Sequence, residues 1–199
     1  MEMMILQIPD FEKFLADTGN KIRGKSDSEK VRIFISWCKK NDIEEVLLRL
    51  SSEEKGGWSR NYFLDFTTSR IIVTKKRIVT KFADLGFVAG LAPFPYMLTM
   101  KNPDPTKIRK QANYTPEDLI KRENFAYYIQ YPEIEEFILR KGIETTVTNM
   151  FGRAIVSNFL TIKTAKQSHN FTLPVNKDGQ YEQIRFWLDV VLPFNMTCC

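Results

Sequence analysis

Tyr181, Ile184, Trp187, Leu188 and Val191 recur at the spacing of one helical face, and Pro193 stops the run. An amphipathic helix of this kind has to bury its apolar stripe against another layer. The preceding residues supply that layer. Residues 159–164 alternate apolar and polar side chains as a half-buried strand does, residues 165–168 turn the chain, and residues 169–173 are set to pair back. A hairpin followed by a helix that covers it defines an α+β class.

The β pattern begins well upstream. Residues 62–74 (YFLDFTTSRIIVT) are rich in aromatic and β-branched side chains and read as two strands around a turn. Lys75 and Lys76 form a second turn, and residues 77–82 a further strand. Residues 85–100 (LGFVAGLAPFPYMLTM) carry no charge, yet Gly86, Gly90, Pro93 and Pro95 interrupt them. The run is also shorter than the roughly 20 residues of a spanning helix, so it reads as a loop. Thr115, Pro116, Glu117 and Asp118 start a short helix that ends near Glu123: Thr caps, Pro takes the first helical position, and the acids face the positive end of the dipole. Residues 125–131 are extended. Residues 134–140 fit strand or helix on periodicity alone, and Lys141-Gly142 makes a turn.

The first quarter is different. Phe11, Phe14 and Leu15 predict a short helix over residues 9–18, followed by a basic turn over 19–25. Ser26 to Glu29 matches a capping box, in which hydroxyl and carboxylate satisfy free backbone N–H groups. Val31, Phe34, Ile35 and Cys38 continue that helix through residues 28–40. Asp42 and Glu45 repeat the capping spacing ahead of Val46, Leu47 and Leu50, which predicts another helix over 43–50. The polar break at 51–57 then separates an N-terminal helical extension, residues 1–52, from a β-rich domain, residues 53–199.

Three stretches carry a family resemblance. Residues 64–73 (LDFTTSRIIV) are similar to the LT-x-x-R-apolar hairpin of bacterial pleckstrin-homology (PH) and GRAM-type domains, with Thr67 and Arg70 in the Thr and Arg places. Residues 129–137 (IQYPEIEEF) resemble the I-x-Y-x-x-I-x-x-V entry into a middle strand of that family. Residues 159–174 with the helix at 181–192 resemble its closing hairpin and capping helix. The chain thus resembles the PH-like superfamily over about residues 58–192. The resemblance implies a bent antiparallel sheet or partly open barrel capped by the C-terminal helix, and a binding module rather than an enzyme. The long stretch 85–124 and the long connection 141–157 depart from the pattern.

Function classes can be weighed on the residues. The net charge of +5, from 29 Lys+Arg against 24 Asp+Glu, permits an anionic surface as partner but lacks the dense basic stripe of a nucleic-acid binder. Arg23, Lys25, Lys30, Arg32, Lys39 and Lys40 make the N-terminal helices basic, but acids are interleaved and the Lys39–Asp42 link is a poor match to a helix-turn-helix. Packing of Phe34, Ile35, Val46 and Leu47 onto the β domain is the alternative use of those helices. Three cysteines are too few for a disulfide framework, and with no charged, apolar leader at the N-terminus they suggest a cytoplasmic protein, peripheral to a membrane at most. The sequons at Asn113, Asn170 and Asn195 are read as chance, and the Cys198-Cys199 ending as a tail rather than a prenylation signal.

The single histidine, His169, lies in a hairpin without a triad partner nearby in sequence, and no P-loop, GxGxxG, HExxH or GxSxG occurs. The acid pairs, such as Glu135-Glu136, are adjacent and diverge. No catalytic residue, metal or cofactor is nominated. Two sites are. Lys75, Lys76 and Arg77 at a hairpin tip, with Arg70 and Lys81, are candidates for an anionic ligand or lipid, because ammonium groups and a guanidinium fork hold phosphates. Phe87, Leu91, Phe94, Tyr96 and Met97 are candidates for an apolar contact with lipid or a partner. Solvated lysines that protect an edge, and a loop tucked on the sheet, account for the same residues. The reading that comes first is a protein-binding or scaffold module with its surface at a sheet edge or beside the C-terminal helix. The alternative is a peripheral module on anionic lipid, and an enzyme comes last.

Overall fold

The computed structural model describes residues 11–54, 60–75, 90–91, 115–121, 124–142, 156–175 and 180–199. In chain order these form α1 (Phe11–Ile22), α2 (Asp27–Lys40), β1 (Val46–Glu54), β2 (Arg60–Thr67), β3 (Arg70–Lys75), β4 (Gly90–Leu91), α3 (Pro116–Ile120), β5 (Phe125–Gln130), β6 (Ile134–Arg140), β7 (Val156–Thr164), β8 (Ser168–Val175), α4 (Gln180–Val191) and β9 (Thr197–Cys198). The class is α+β.

The strands run in the order β5-β3-β2-β1-β8-β7-β6-β9, with β4 added on β1. This path consists of two four-stranded halves. Among the described residues the only strand pairing between them is where Glu53 and Glu54 of β1 meet Thr172 and Phe171 of β8. Among the described residues no pairing returns from β9 or β6 to β5, so the sheet is not a closed barrel. All pairings are antiparallel except β9, which lies parallel to β6.

Strand alternation explains the core. Leu48, Leu50, Leu64, Phe66, Ile71, Val73 and Ile129 share one face of the first half through their register. Phe137, Leu139, Leu160, Ile162, Phe171 and Leu173 share one face of the second. All belong to one buried cluster, which also takes in Phe14, Val31, Phe34 and Trp37 from α1 and α2, and Tyr181, Ile184, Trp187, Leu188 and Val191 from α4. The α4 residues are those picked out by periodicity. Burying a large side chain of this kind contributes roughly 1.5–3 kcal/mol. The other face of β3 is covered too: Ile72 and Thr74 are buried, and α3, with Leu119 buried, packs on that strand.

Two expectations are corrected. Residues 43–50 are not a helix, because most of that stretch belongs to β1. The reason lies in how α2 ends. Asp42 adopts a left-handed φ of 56°, the Ile43 N–H donates to the Cys38 carbonyl at 2.9 Å, and the Asp42 N–H donates to that of Lys39 at 3.5 Å. This is a Schellman-type C-cap, so Asp42 closes one helix rather than opening the next. Leu47, Leu48 and Leu50 are fully buried, and the register shift between Val46 and Leu48 leaves Leu47 without a partner on β2, which breaks the alternation that would have revealed a strand. The boundary placed after residue 52 therefore falls within β1, and the paired helices considered for a helix-turn-helix are not formed. Second, α1 runs to Ile22 through the stretch expected as a turn, which comes instead at Arg23-Gly24, where Gly24 takes a φ of 74°.

The capping box on α2 is formed as read. The Ser26 N–H donates to Glu29 Oε2 at 2.9 Å, and the Glu29 N–H donates to Ser26 Oγ at 3.4 Å. The hydrogen bonds from Ser26, its backbone first, hold the Glu29 carboxyl at about 2. Thr115 and Asp118 form the same box on α3. Residues 134–140, open between strand and helix, are strand β6. The strand expected over 77–82 lies outside the described residues.

Candidate binding surface

The Thr and Arg of the 64–73 motif are structural. Arg70 Nε donates to Glu44 Oε1 at 3.0 Å and Arg70 Nη2 to Oε2 at 2.6 Å, a bidentate fork. The Thr67 hydroxyl lies 2.6 Å from Glu44 Oε1 and accepts the N–H groups of Ser69 and Arg70 at 3.2 and 3.0 Å. The Tyr131 hydroxyl donates to the Thr67 carbonyl at 2.7 Å. The network ties the β2–β3 turn to the residues leading into β1. Burial acts to raise the Glu44 pKa, but the hydrogen bonds from Arg70, Thr67 and Ser69 outweigh it and hold the carboxyl below its ordinary 4.5. Burial, then the Glu44 charge, pushes the Tyr131 phenol up.

A folded-state pKa below the unfolded one means stability that is present above the ordinary carboxylate range and lost as pH falls through the folded value. Glu44→Gln is expected to cost about 2 kcal/mol at pH 7. The gap to wild type should narrow below pH 4.5. Urea unfolding at a series of pH values checks this, and a gap independent of pH would mean that the carboxylate charge is not what stabilises the turn.

Arg70, nominated with the basic cluster, is thus paired with Glu44 within the fold. Its guanidinium also lies over the Tyr128 ring, 5.0 Å from the centroid. Lys75 stands at the opposite end of β3, exposed, with its backbone N–H bonded to the Asn124 carbonyl at 2.7 Å. The structure does not bring the two together. Lys76, Arg77, Lys81, Phe87, Phe94, Tyr96 and Met97 lie outside the described residues. Leu91 is in β4, where its backbone pairs with Leu48.

His169 is buried on the inner face of β8. Its Nδ1 is 3.0 Å from the Tyr127 hydroxyl and its Nε2 is 3.0 Å from Gln167 Nε2, and the ring stacks on Tyr127 with centroids 4.9 Å apart. A ring held this way on both nitrogens is a core group that joins the two half-sheets. Among the described residues, no three of His, Cys, Asp and Glu are grouped to hold a metal ion. No helix of the described residues is long and apolar enough to cross a membrane.

The concave surfaces lie instead on the helical side. A groove of about 370 Å³ runs between α2 and the end of α4, with Ile35, Leu192 and Phe194 as apolar walls and Arg32, Lys39 and Asp189 around it. Phe186, 49% exposed, lies one turn back along α4 from Asp189 and Val190. A second groove, of about 610 Å³, separates α1 from α2. The sequence drew attention to Arg32, Lys39 and Lys40 as basic residues, but it could not separate them from Lys25 and Lys30. Those two are bonded to Glu29 and Asp27 at 3.3 and 3.4 Å. Arg32, Lys39 and Lys40 have no ion pair among the described residues.

No family model, no curated protein and no solved structure matches this chain.

Proposed function

We propose that this chain is a non-enzymatic PH-like binding module that takes up an acidic segment of a protein partner in the groove between α2 and α4. The strand path supports the PH-like part. With the two-residue strands β4 and β9 set aside, seven strands form two antiparallel halves in which the first, β1, is the one that meets the last before the closing helix, β8, and that amphipathic helix packs on the core. The arrangement begins at Val46, ahead of the residues that carry the resemblance. The groove itself carries the binding reading. It combines apolar walls with Arg32 and Lys39, neither of them in an ion pair among the described residues, against the single Asp189, beside a half-exposed Phe186 on the helix face. Apolar anchors rimmed by complementary charge are what a peptide groove presents.

Phe186→Ala and Lys39→Glu alter exposed side chains, so each is expected to leave the unfolding midpoint nearly unchanged. Each should weaken retention of the partner at least tenfold in quantitative capture followed by direct titration of the purified partner. A partner bound equally by wild type and both variants would place the surface elsewhere.

A second reading, a peripheral module on anionic lipid, is favoured by the exposure of Lys75 at the end of β3. It predicts salt-sensitive sedimentation with anionic vesicles that is lost when Lys75, Lys76 and Arg77 are changed together to Ser. No sedimentation at low salt would remove it.

A further inference from the structure

The groove between α1 and α2 gathers cations that no ion pair neutralises. Six basic side chains of the described surface do meet acids: Lys25 with Glu29, Lys30 with Asp27, Arg49 with Asp65, Arg70 with Glu44, Lys163 with Glu136 and Arg185 with Glu182. Lys21, Arg32 and Lys40 line one groove of about 610 Å³, and among the described residues none of the three has an ion-pair partner. The one acid in the lining, Asp17, accepts the Trp37 indole N–H at 2.9 Å. That bond fixes the floor of the groove, because Trp37 is itself stacked on Phe34 and edge-on to Phe14. A rigid floor thus carries three cations against one carboxylate that is already engaged.

The spacing selects the ligand. Arg32, Ser36 and Lys40 follow one another at four-residue intervals, so they form a single stripe along α2. Eight residues of helix set Arg32 and Lys40 about 12 Å apart at the Cα positions. A lone phosphate reaches one end only, whereas a chain of phosphates can meet the guanidinium fork and the two ammonium groups in turn. The volume lies in the range of small-molecule sites, about 300–1,000 Å³, and well short of what a nucleic-acid duplex would need. We propose that the α1–α2 groove binds a small molecule bearing a linear polyphosphate, held by Lys21, Arg32 and Lys40. The proposal is independent of the peptide groove, and its test avoids Arg32, which lines both.

The probe is inorganic tripolyphosphate, titrated calorimetrically into the full chain at low and at 150 mM salt. Binding is expected at low salt, weaker at high salt, and at least tenfold tighter than for orthophosphate. Lys21→Ser combined with Lys40→Ser should weaken it at least tenfold, while Lys163→Ser leaves it unchanged. Both lysines are exposed, so an unchanged thermal midpoint shows that the double variant is folded. No heat with wild type, or equal affinity in wild type and double variant, overturns the proposal. So does sedimentation with vesicles bearing phosphorylated headgroups in the absence of tripolyphosphate binding, since the phosphates would then be recognised on a lipid surface.

Discussion

Arg49→Met is expected to destabilise the protein by about 3–5 kcal/mol. Arg49 and Asp65 are directly opposed on β1 and β2, and the guanidinium meets both carboxylate oxygens, Nε on Oδ1 at 2.5 Å and Nη2 on Oδ2 at 3.1 Å. The two ends of the pair are unequal in burial: Arg49 is 27% exposed and Asp65 not at all. A methionine keeps much of the stem that packs near Phe63 but leaves a fully buried carboxylate without its guanidinium. Asp65→Leu alone is the milder change, because Arg49 can turn its head group to water. The double variant, Arg49→Met with Asp65→Leu, is expected to recover most of the loss, since a buried pair exchanged for apolar groups of similar volume is often neutral. Chemical denaturation of all four proteins closes the cycle. Additive losses would show that the two side chains do not act as a unit.

Phe34→Ala is expected to cost about 3–5 kcal/mol through the cavity it opens. Phe34 is 1% exposed, lies edge-to-face with Phe14 at 5.2 Å and stacks on Trp37 at 6.2 Å. These rings belong to the same buried cluster as the strand residues, so the loss should appear in one cooperative transition followed equally by near-UV and far-UV circular dichroism. Two separate transitions, with the far-UV signal of the sheet unaffected by the substitution, would mean that α1 and α2 fold as an independent unit.

Much of the fold could be read from the residues because local chemistry and tertiary context agree there. Ser26 with Glu29, and Thr115 with Asp118, cap helices as their side chains dictate. The hairpin at 156–175 alternates because its apolar residues Leu160, Ile162, Phe171 and Leu173 share one buried face. β1 was misread because Leu47 and Leu48 are both buried at a register shift, so the strand there has the apolar density of a helix. Asp42 misled for a related reason: the same acid that caps a helix start also tolerates the left-handed backbone of a helix end. The motif residue Arg70 was legible as conspicuous but not as engaged, since its partner Glu44 is remote in sequence and lies before the hairpin. The grooves were hidden for the converse reason. Which lysines are left over is decided by pairings such as Lys25–Glu29 and Lys30–Asp27, and composition shows only their sum.

The narrow junction of the two half-sheets bears on how the chain acquires this shape. Hairpins β2–β3 and β7–β8 join neighbours in the chain and can zip locally, but residues 53 and 54 find residues 172 and 171 only after most of the polypeptide has been made. Such a contact has a large loop-closure entropy and few hydrogen bonds to set against it, which places it late in assembly. During synthesis the end of β1 at residues 53 and 54 waits for its partner until β8 leaves the ribosome.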